Sequence, residues 1–188
     1  MATTFDAGAI ILAGGESRRM GRDKSLLPIQ GVPLIQHIAA QLKPHFEDVL
    51  VVTNTPEKYP FLDLEMVPDL VPDQGPLMGI ASGLSRARYD WNLIVATDIP
   101  AIPLLLLQEL FAHTEVVRCV VPCERHGHPQ PLFALYHREL RAEILSMLSE
   151  GHRSVMALLD RCNPAQVTID TGLLVNLNTP DGYRAFLE

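Results

Sequence analysis

Ala7-Gly-Ala-Ile-Ile-Leu-Ala-Gly-Gly-Glu-Ser-Arg-Arg-Met-Gly-Arg-Asp-Lys24 decides the reading of this chain. Its first part is a continuous apolar run with β-branched residues that stops at glycine, the pattern of a strand buried on both faces. Its second part packs Arg18, Arg19, Arg22 and Lys24 into seven positions directly after that strand. In open α/β sheets the carboxyl ends of strands are where ligands bind. Gly14 and Gly15 carry no Cβ, so backbone N–H groups there can approach phosphate oxygens. Arg18 or Arg19 can grip phosphate through two parallel hydrogen bonds, and Lys24 can add a point charge. A solvated surface loop is the competing account. It explains the glycines or the cations taken singly, but not both in one connection.

Two familiar phosphate loops do not fit. A P-loop needs Lys and Ser/Thr directly after its last glycine, whereas Gly21 is followed by Arg22 and Asp23. No G-x-G-x-x-G follows the strand, which weakens a dinucleotide-binding reading.

Working outward, Val49–Thr53, Met66–Pro68, Leu93–Thr97 and Val116–Val121 also read as buried strands. Helices are expected over Pro33–Lys43, Pro76–Ala87, Pro103–Thr114, Glu139–Glu150 and from Ser154 through Arg161, with Thr179-Pro180-Asp181 opening another. Gly79, Ala81 and Gly83 weaken the second helix but permit close backbone approach. The alternation predicts an α/β fold: a three-layer α/β/α sandwich with a mostly parallel central sheet. The Gln130–Tyr136 strand and the pair Ala165–Ile169 and Leu173–Leu177 are expected to break the parallel pattern. No repeat or long linker interrupts residues 1–188, so one domain is the simplest account.

The composition narrows the partners. A net charge of −7 disfavours a nucleic-acid partner held through a broadly basic surface, and one basic loop on an acidic chain suggests a small anionic ligand. No apolar run reaches bilayer-spanning length, and Met1–Asp6 lacks a basic leader, so no membrane contact and a cytoplasmic location are expected. Three cysteines fit a reducing compartment better than a disulfide framework. Cys119, Cys123, His126 and His128 lack a standard zinc spacing, and Cys119 falls in an apolar strand. His37, His45 and His113 are read on helices as surface or satisfied groups.

Three further positions carry chemistry. Asp98 ends the strand Leu93–Thr97 and projects toward the crevice of the first loop. A carboxylate there suits Mg2+, which takes hard oxygen ligands and only one or two from protein. Capping of the turn before Pro100 is the alternative. In Val175-Asn176-Leu177-Asn178-Thr179-Pro180, alternation sends Asn176 and Asn178 to one face, and an amide oxygen is an acceptable magnesium ligand. Two turn-forming asparagines before a helix are the bland reading. Asp69 follows the strand Met66–Pro68, with Asp73 close enough to compete with it.

Leu-Ala-Gly-Gly-x-Ser-x-Arg-Met-Gly-x-Asp-Lys resembles the signature loop of the molybdenum cofactor guanylyltransferases, the molybdopterin-guanine dinucleotide synthases, over 13 positions. Gln74-Gly-Pro-Leu-Met-Gly-Ile80, Asp98-Ile-Pro100 and Asn176-Leu-Asn-Thr-Pro180 resemble later motifs of that family in the same order. The resemblance implies a Rossmann-like nucleotidyltransferase fold and transfer of GMP from GTP to the terminal phosphate of molybdopterin, with pyrophosphate released. It implies that Leu12, Ala13 and Gly14 line the guanosine site, with Gly15, Asn54, Asp69 and Gly75 among the nucleotide-binding residues. Arg19 and Lys24 would meet the triphosphate. Asp98, with Asn178 ahead of Asn176, would hold Mg2+, and Gln130 and Pro131 would lie near the acceptor. Transient contact with enzymes that make or receive the cofactor, and a monomer or weak homo-oligomer, are expected. Three alternatives remain at this stage: a CTP-using molybdopterin cytidylyltransferase, a sugar-phosphate nucleotidyltransferase, and a non-catalytic nucleotide-binding module for regulation or delivery. The first tends to carry Leu-Ala-Ala-Gly where this chain has Gly14.

Overall fold

A computed structural model describes residues 3–14, 23–177, 183, 184 and 186. Its centre is a seven-stranded sheet built from β1 (Gly8–Leu12), β4 (Asp48–Val52), β5 (Glu65–Val67), β6 (Trp91–Ala96), β7 (Cys119–Glu124), β8 (Phe133–His137) and β9 (Ala165–Ile169). The spatial order is β5-β4-β1-β6-β8-β7-β9. A small separate hairpin, β2 (Pro28–Ile29) with β3 (Val32–Pro33), turns at Gln30 and Gly31, both at positive φ.

Alternation along β1 sorts its side chains to the two faces. Ala9 and Ile11 join a core with α1 (Leu34–Leu42) and α3 (Leu104–Phe111). Ile10 and Leu12 join a second core with α2 (Pro76–Arg86), α4 (Leu140–Ser149) and α5 (Val155–Cys162). Ile10 and Ile11 are fully buried, which stabilises the fold by roughly 1.5–3 kcal/mol for each side chain. A strand covered on both sides has no polar face, so β1 reads as an unbroken apolar run. The expected three-layer, mostly parallel sandwich is the observed fold.

β1 pairs parallel with both β4 and β6, in register Leu12↔Val52 and Leu12↔Ala96. The chain builds outward from β1 to β4 and β5, then crosses to β6 on the other side. The crevice between the ends of β1 and β6 is therefore the switch point of the topology, where open α/β sheets bind ligands.

Several expectations are corrected. The strand Ala165–Ile169 pairs parallel with β7, because α5 carries the chain back across the sheet before it. Only β8 runs against its neighbours among these strands, as expected for the Gln130–Tyr136 segment. Residues 173–177 do not form a strand, since the Leu173 N–H closes a turn onto Asp170 and the segment then runs toward Asp98. The strand placed at Val116 begins at Cys119, and Val116 itself is exposed. Pro33 and Pro103 stand just before their helices, which start at Leu34 and Leu104. His45 and His113 lie in the turns after α1 and α3, and His45 Nδ1 lies 2.6 Å from the carbonyl of Thr3. Thr179-Pro180-Asp181 lies outside the described residues.

Candidate functional site

Ala13 continues β1 by donating its N–H to Val52, and Thr97 donates to the Leu12 carbonyl. The first loop thus starts between the ends of β4 and β6. It returns at Asp23 into a short 3-10 turn, Lys24–Leu26, whose first residue is Lys24. Gly15 and Arg19 lie outside the described residues, as does Asn178.

Asp98 follows β6 by two positions and is partly buried. Burial pushes its carboxyl above the ordinary range, opposed by the Lys24 ammonium and by its own N–H. The Lys24 charge therefore acts on the acid that ends β6. Asp98 is also held from two other directions. Leu177, the residue after Asn176, donates its N–H to the Asp98 carbonyl at 2.8 Å. From α1, Gln41 Nε2 donates to the Pro100 carbonyl at 2.8 Å, while the Ile102 N–H donates back to Gln41 Oε1 at 3.1 Å. Sequence reading missed Gln41, because a polar residue on an amphipathic helix carries no signal of a backbone contact 59 positions away.

Across Leu12 lies a second group. Asn54 Nδ2 donates to Asp69 Oδ2 at 2.8 Å, and the Asp69 N–H donates to Asn54 Oδ1 at 2.8 Å. Asp69 Oδ1 is buried without a hydrogen-bond partner. Burial raises the Asp69 carboxyl, Asn54 opposes this, and the charge of Asp73 adds to it. Asp73 itself is exposed at φ 62°, so Asp69 is the acid that faces inward. Behind it, a Cβ on Gly79 would stand 3.3 Å from Leu12 Cδ2 and 3.8 Å from Asp69 Oδ1. Gly75 precedes α2 at φ 77°, where a side chain would be strained, so the helix N-terminus can begin at this edge.

Gln130 and Pro131 lead into β8. Because β8 is antiparallel, its start lies beside the end of β6: Val95 pairs with Phe133, and the Ala96 N–H donates to Leu132. The proline-containing segment therefore occupies the same edge as Asp98. Arg153, which sequence reading also passed over, donates from Nε to Gln74 Oε1 at 2.6 Å, just before Gly75. Its signal was faint, a lone arginine before the Ser154 cap.

Cys119 and Cys123 are buried, and among the described residues no group of three His, Cys, Asp or Glu side chains could hold a metal ion. No described helix is long and apolar enough to cross a membrane.

Residues 9–165 match the family model of the MobA-like NTP transferase domain. The chain belongs to that family. It is a nucleotidyltransferase, which sets aside the non-catalytic reading. A protein of Trichormus variabilis named "Probable molybdenum cofactor guanylyltransferase" is 35% identical over 180 residues, covering 92% of this chain and 86% of that one. The molybdenum cofactor guanylyltransferase of Yersinia pseudotuberculosis is 34% identical over 177 residues, covering 91% and 90%. The crystal structure of molybdopterin-guanine dinucleotide biosynthesis protein A from Archaeoglobus fulgidus superposes with a TM-score of 0.82, covering 95% of each chain at 23% identity, and supports the fold.

Proposed function

We propose that this nucleotidyltransferase moves GMP from GTP to the terminal phosphate of molybdopterin, in the cytoplasm. What supports the reading is the position of Asp98 at the switch point, two residues past β6, where the Lys24 charge acts on its carboxyl. A triphosphate there would meet a cation on one side and a carboxylate suited to a divalent ion on the other.

The donor set fits magnesium. Asp98 is a partly desolvated carboxylate, and Asn176 directly precedes Leu177, whose N–H holds the Asp98 carbonyl. Mg2+ favours such oxygen ligands, takes few from protein, and uses waters and phosphates for the rest. Asp98, with Asn178 or Asn176, would hold it. When bound, the ion supplies charge neutralisation on the phosphate oxygens.

The reaction needs little acid–base chemistry from the chain. A phosphate monoester has a second pKa near ~6 and is largely dianionic at neutral pH. Its oxygen attacks the α-phosphorus, the α–β phosphoanhydride bond breaks, and pyrophosphate leaves with the electron pair. What remains for the protein is positioning and charge stabilisation. Lys24 and Arg19 steady the departing pyrophosphate, and Gln130 and Pro131 lie toward the acceptor.

Asp69 supports guanine as the base. A buried carboxylate oxygen without a partner is costly, and an N–H donor relieves it. Guanine offers N1–H and an amino group side by side, whereas cytosine offers one amino group on that edge. Side-by-side turnover of GTP, CTP, ATP and UTP with molybdopterin, followed by pyrophosphate release, tests the proposal. Preference for CTP, or no pyrophosphate with any nucleotide, would overturn it.

A further inference from the structure

Asp23 and Tyr59 lie outside every role given above, yet they join the two halves of the crevice. Asp23 caps the 3-10 turn that begins with Lys24. Its Oδ1 accepts the Ser25 N–H at 3.2 Å and the Ser25 hydroxyl at 2.6 Å, and its Oδ2 accepts Lys58 Nζ at 2.9 Å. Ser25 Oγ also lies 2.9 Å from Tyr59 Oη. The carboxylate can only accept, so it takes the single Ser25 proton, and Tyr59 must be the donor to Ser25. The charge on Asp23 thus fixes the direction of the whole row: Tyr59 to Ser25 to Asp23.

The row is built into the interior. Tyr59 is 1% exposed and Ser25 is 2% exposed. Burial makes every missing partner expensive, so such a row is specific only when complete. Its ends are the informative part. One end is the residue before Lys24. The other is Tyr59, in the connection after β4 that also carries Asn54, the residue paired with Asp69. Nothing in the packing of the sheet requires hydroxyls here, since an apolar side chain at Ser25 would fill the same space.

We propose that Tyr59 and Asp23 are positioning residues that set Lys24 relative to the Asn54–Asp69 pair, so that phosphate and base are engaged at one fixed separation. The inference rests on the reading of Lys24 as a triphosphate contact. Removing the Tyr59 hydroxyl keeps the ring in its pocket but leaves Ser25 Oγ without a donor. The turn carrying Lys24 then loses its tie to the connection after β4. Binding of a triphosphate suffers, while binding of GMP, which has no β- and γ-phosphate for Lys24 to hold, is spared.

The experiment measures affinity for GTP and for GMP by calorimetry with magnesium in the full chain, for wild type, Tyr59→Phe, Asp23→Asn, Lys24→Ala and Lys24→Ala/Tyr59→Phe. Tyr59→Phe and Asp23→Asn are expected to weaken GTP by about three- to tenfold, the range of one hydrogen bond, with GMP changed less than about twofold. The double variant is expected to bind GTP no more weakly than Lys24→Ala, because both changes remove the same contact. Asp23→Asn, at the partly exposed end of the row, keeps the test alive should Tyr59→Phe not fold. Selective loss of GTP in Lys24→Ala with wild-type GTP binding, or equal loss of GTP and GMP, in the other two variants would overturn the proposal. Wild-type GTP affinity in Lys24→Ala overturns the reading of Lys24 beneath it, and that control alone tells the two failures apart.

Discussion

The Leu177 N–H donates to the Asp98 carbonyl across 2.8 Å, tying the late asparagine segment to the acid at the end of β6. A segment 79 positions downstream thereby shares one rigid corner with Asp98. The tie runs through backbone, so neither the Asp98 carboxyl nor the Asn176 amide takes part in it.

Asp98→Ala should follow from that arrangement as a loss of turnover with little loss of fold. Its carbonyl bond to Leu177 survives the substitution, because it uses backbone. Loss of a preorganised electrostatic group typically costs about 10²–10³ in kcat. Pyrophosphate release should fall by at least that factor, and the thermal stabilisation that GTP gives should no longer depend on magnesium. Full turnover with magnesium present would remove Asp98 from the mechanism.

The parts of this site that could be read from sequence are those where chemistry and local structure coincide. β1 reads as buried because it is apolar on both faces, and Asp98 reads as functional because an acid ends such a strand. Asp69, Gly75 and the Gln130 segment were placed by motif order, and all lie on the same edge of the sheet. What stayed hidden depends on tertiary pairing. The parallel sense of β9 is set by how α5 returns the chain, and Ala165–Ile169 carries no mark of it. Gln41, Tyr59 and Asp23 act through partners 59, 34 and 35 positions away, in the bonds to Pro100, Ser25 and Lys58. Periodicity explains Tyr59 as core and Gln41 as surface, and says nothing of their polar ends.

Gln41 gives a second prediction. From α1 it grips the turn after Asp98, accepting from Ile102 and donating to Pro100. Gln41→Ala leaves the Ile102 N–H without its acceptor, which costs about 1–3 kcal/mol where water cannot reach it. Urea unfolding should show that loss, and kcat should fall while GMP affinity stays near wild type. Wild-type stability together with wild-type kcat would mean that the turn holds itself.

Gly83 supplies a prediction about packing. A Cβ there would meet Ile10 Cγ2 at 2.6 Å and Val52 Cγ2 at 3.2 Å, both in buried strands. Helix α2 must therefore shift off the sheet to admit alanine, and overpacking of this kind costs about 1–3 kcal/mol. Gly79→Ala, with its nearest contact at 3.3 Å on Leu12, should cost less stability but disturb the Asp69 side of the crevice. Parallel unfolding and GTP-binding curves check both. The idea fails if Gly83→Ala is as stable as wild type, or if Gly79→Ala is the less stable of the two.

Asp23 gives a prediction with a definite sign. Burial pushes its carboxyl up, but the hydrogen bonds from Ser25 and Lys58 and the charge of Lys58 outweigh this and hold it below the ordinary value of 3.8. A carboxyl lowered in the folded state binds its proton less readily there than in the unfolded chain. Its stabilisation is therefore complete above the unfolded value and is lost as pH falls through the lower folded value. Asp69 and Asp98 are raised, each chiefly by burial, so they act in the opposite sense and favour the folded state as acid is added. Total stability mixes these signs, but the difference between wild type and Asp23→Asn isolates one of them. In urea titrations from about pH 6 to about pH 2, wild type should be the more stable at the upper end, and the gap should close only below the ordinary carboxylate range. A gap that widens on acidification would show that Asp23 is held protonated rather than ionised, and would reverse the direction assigned to its row of hydrogen bonds.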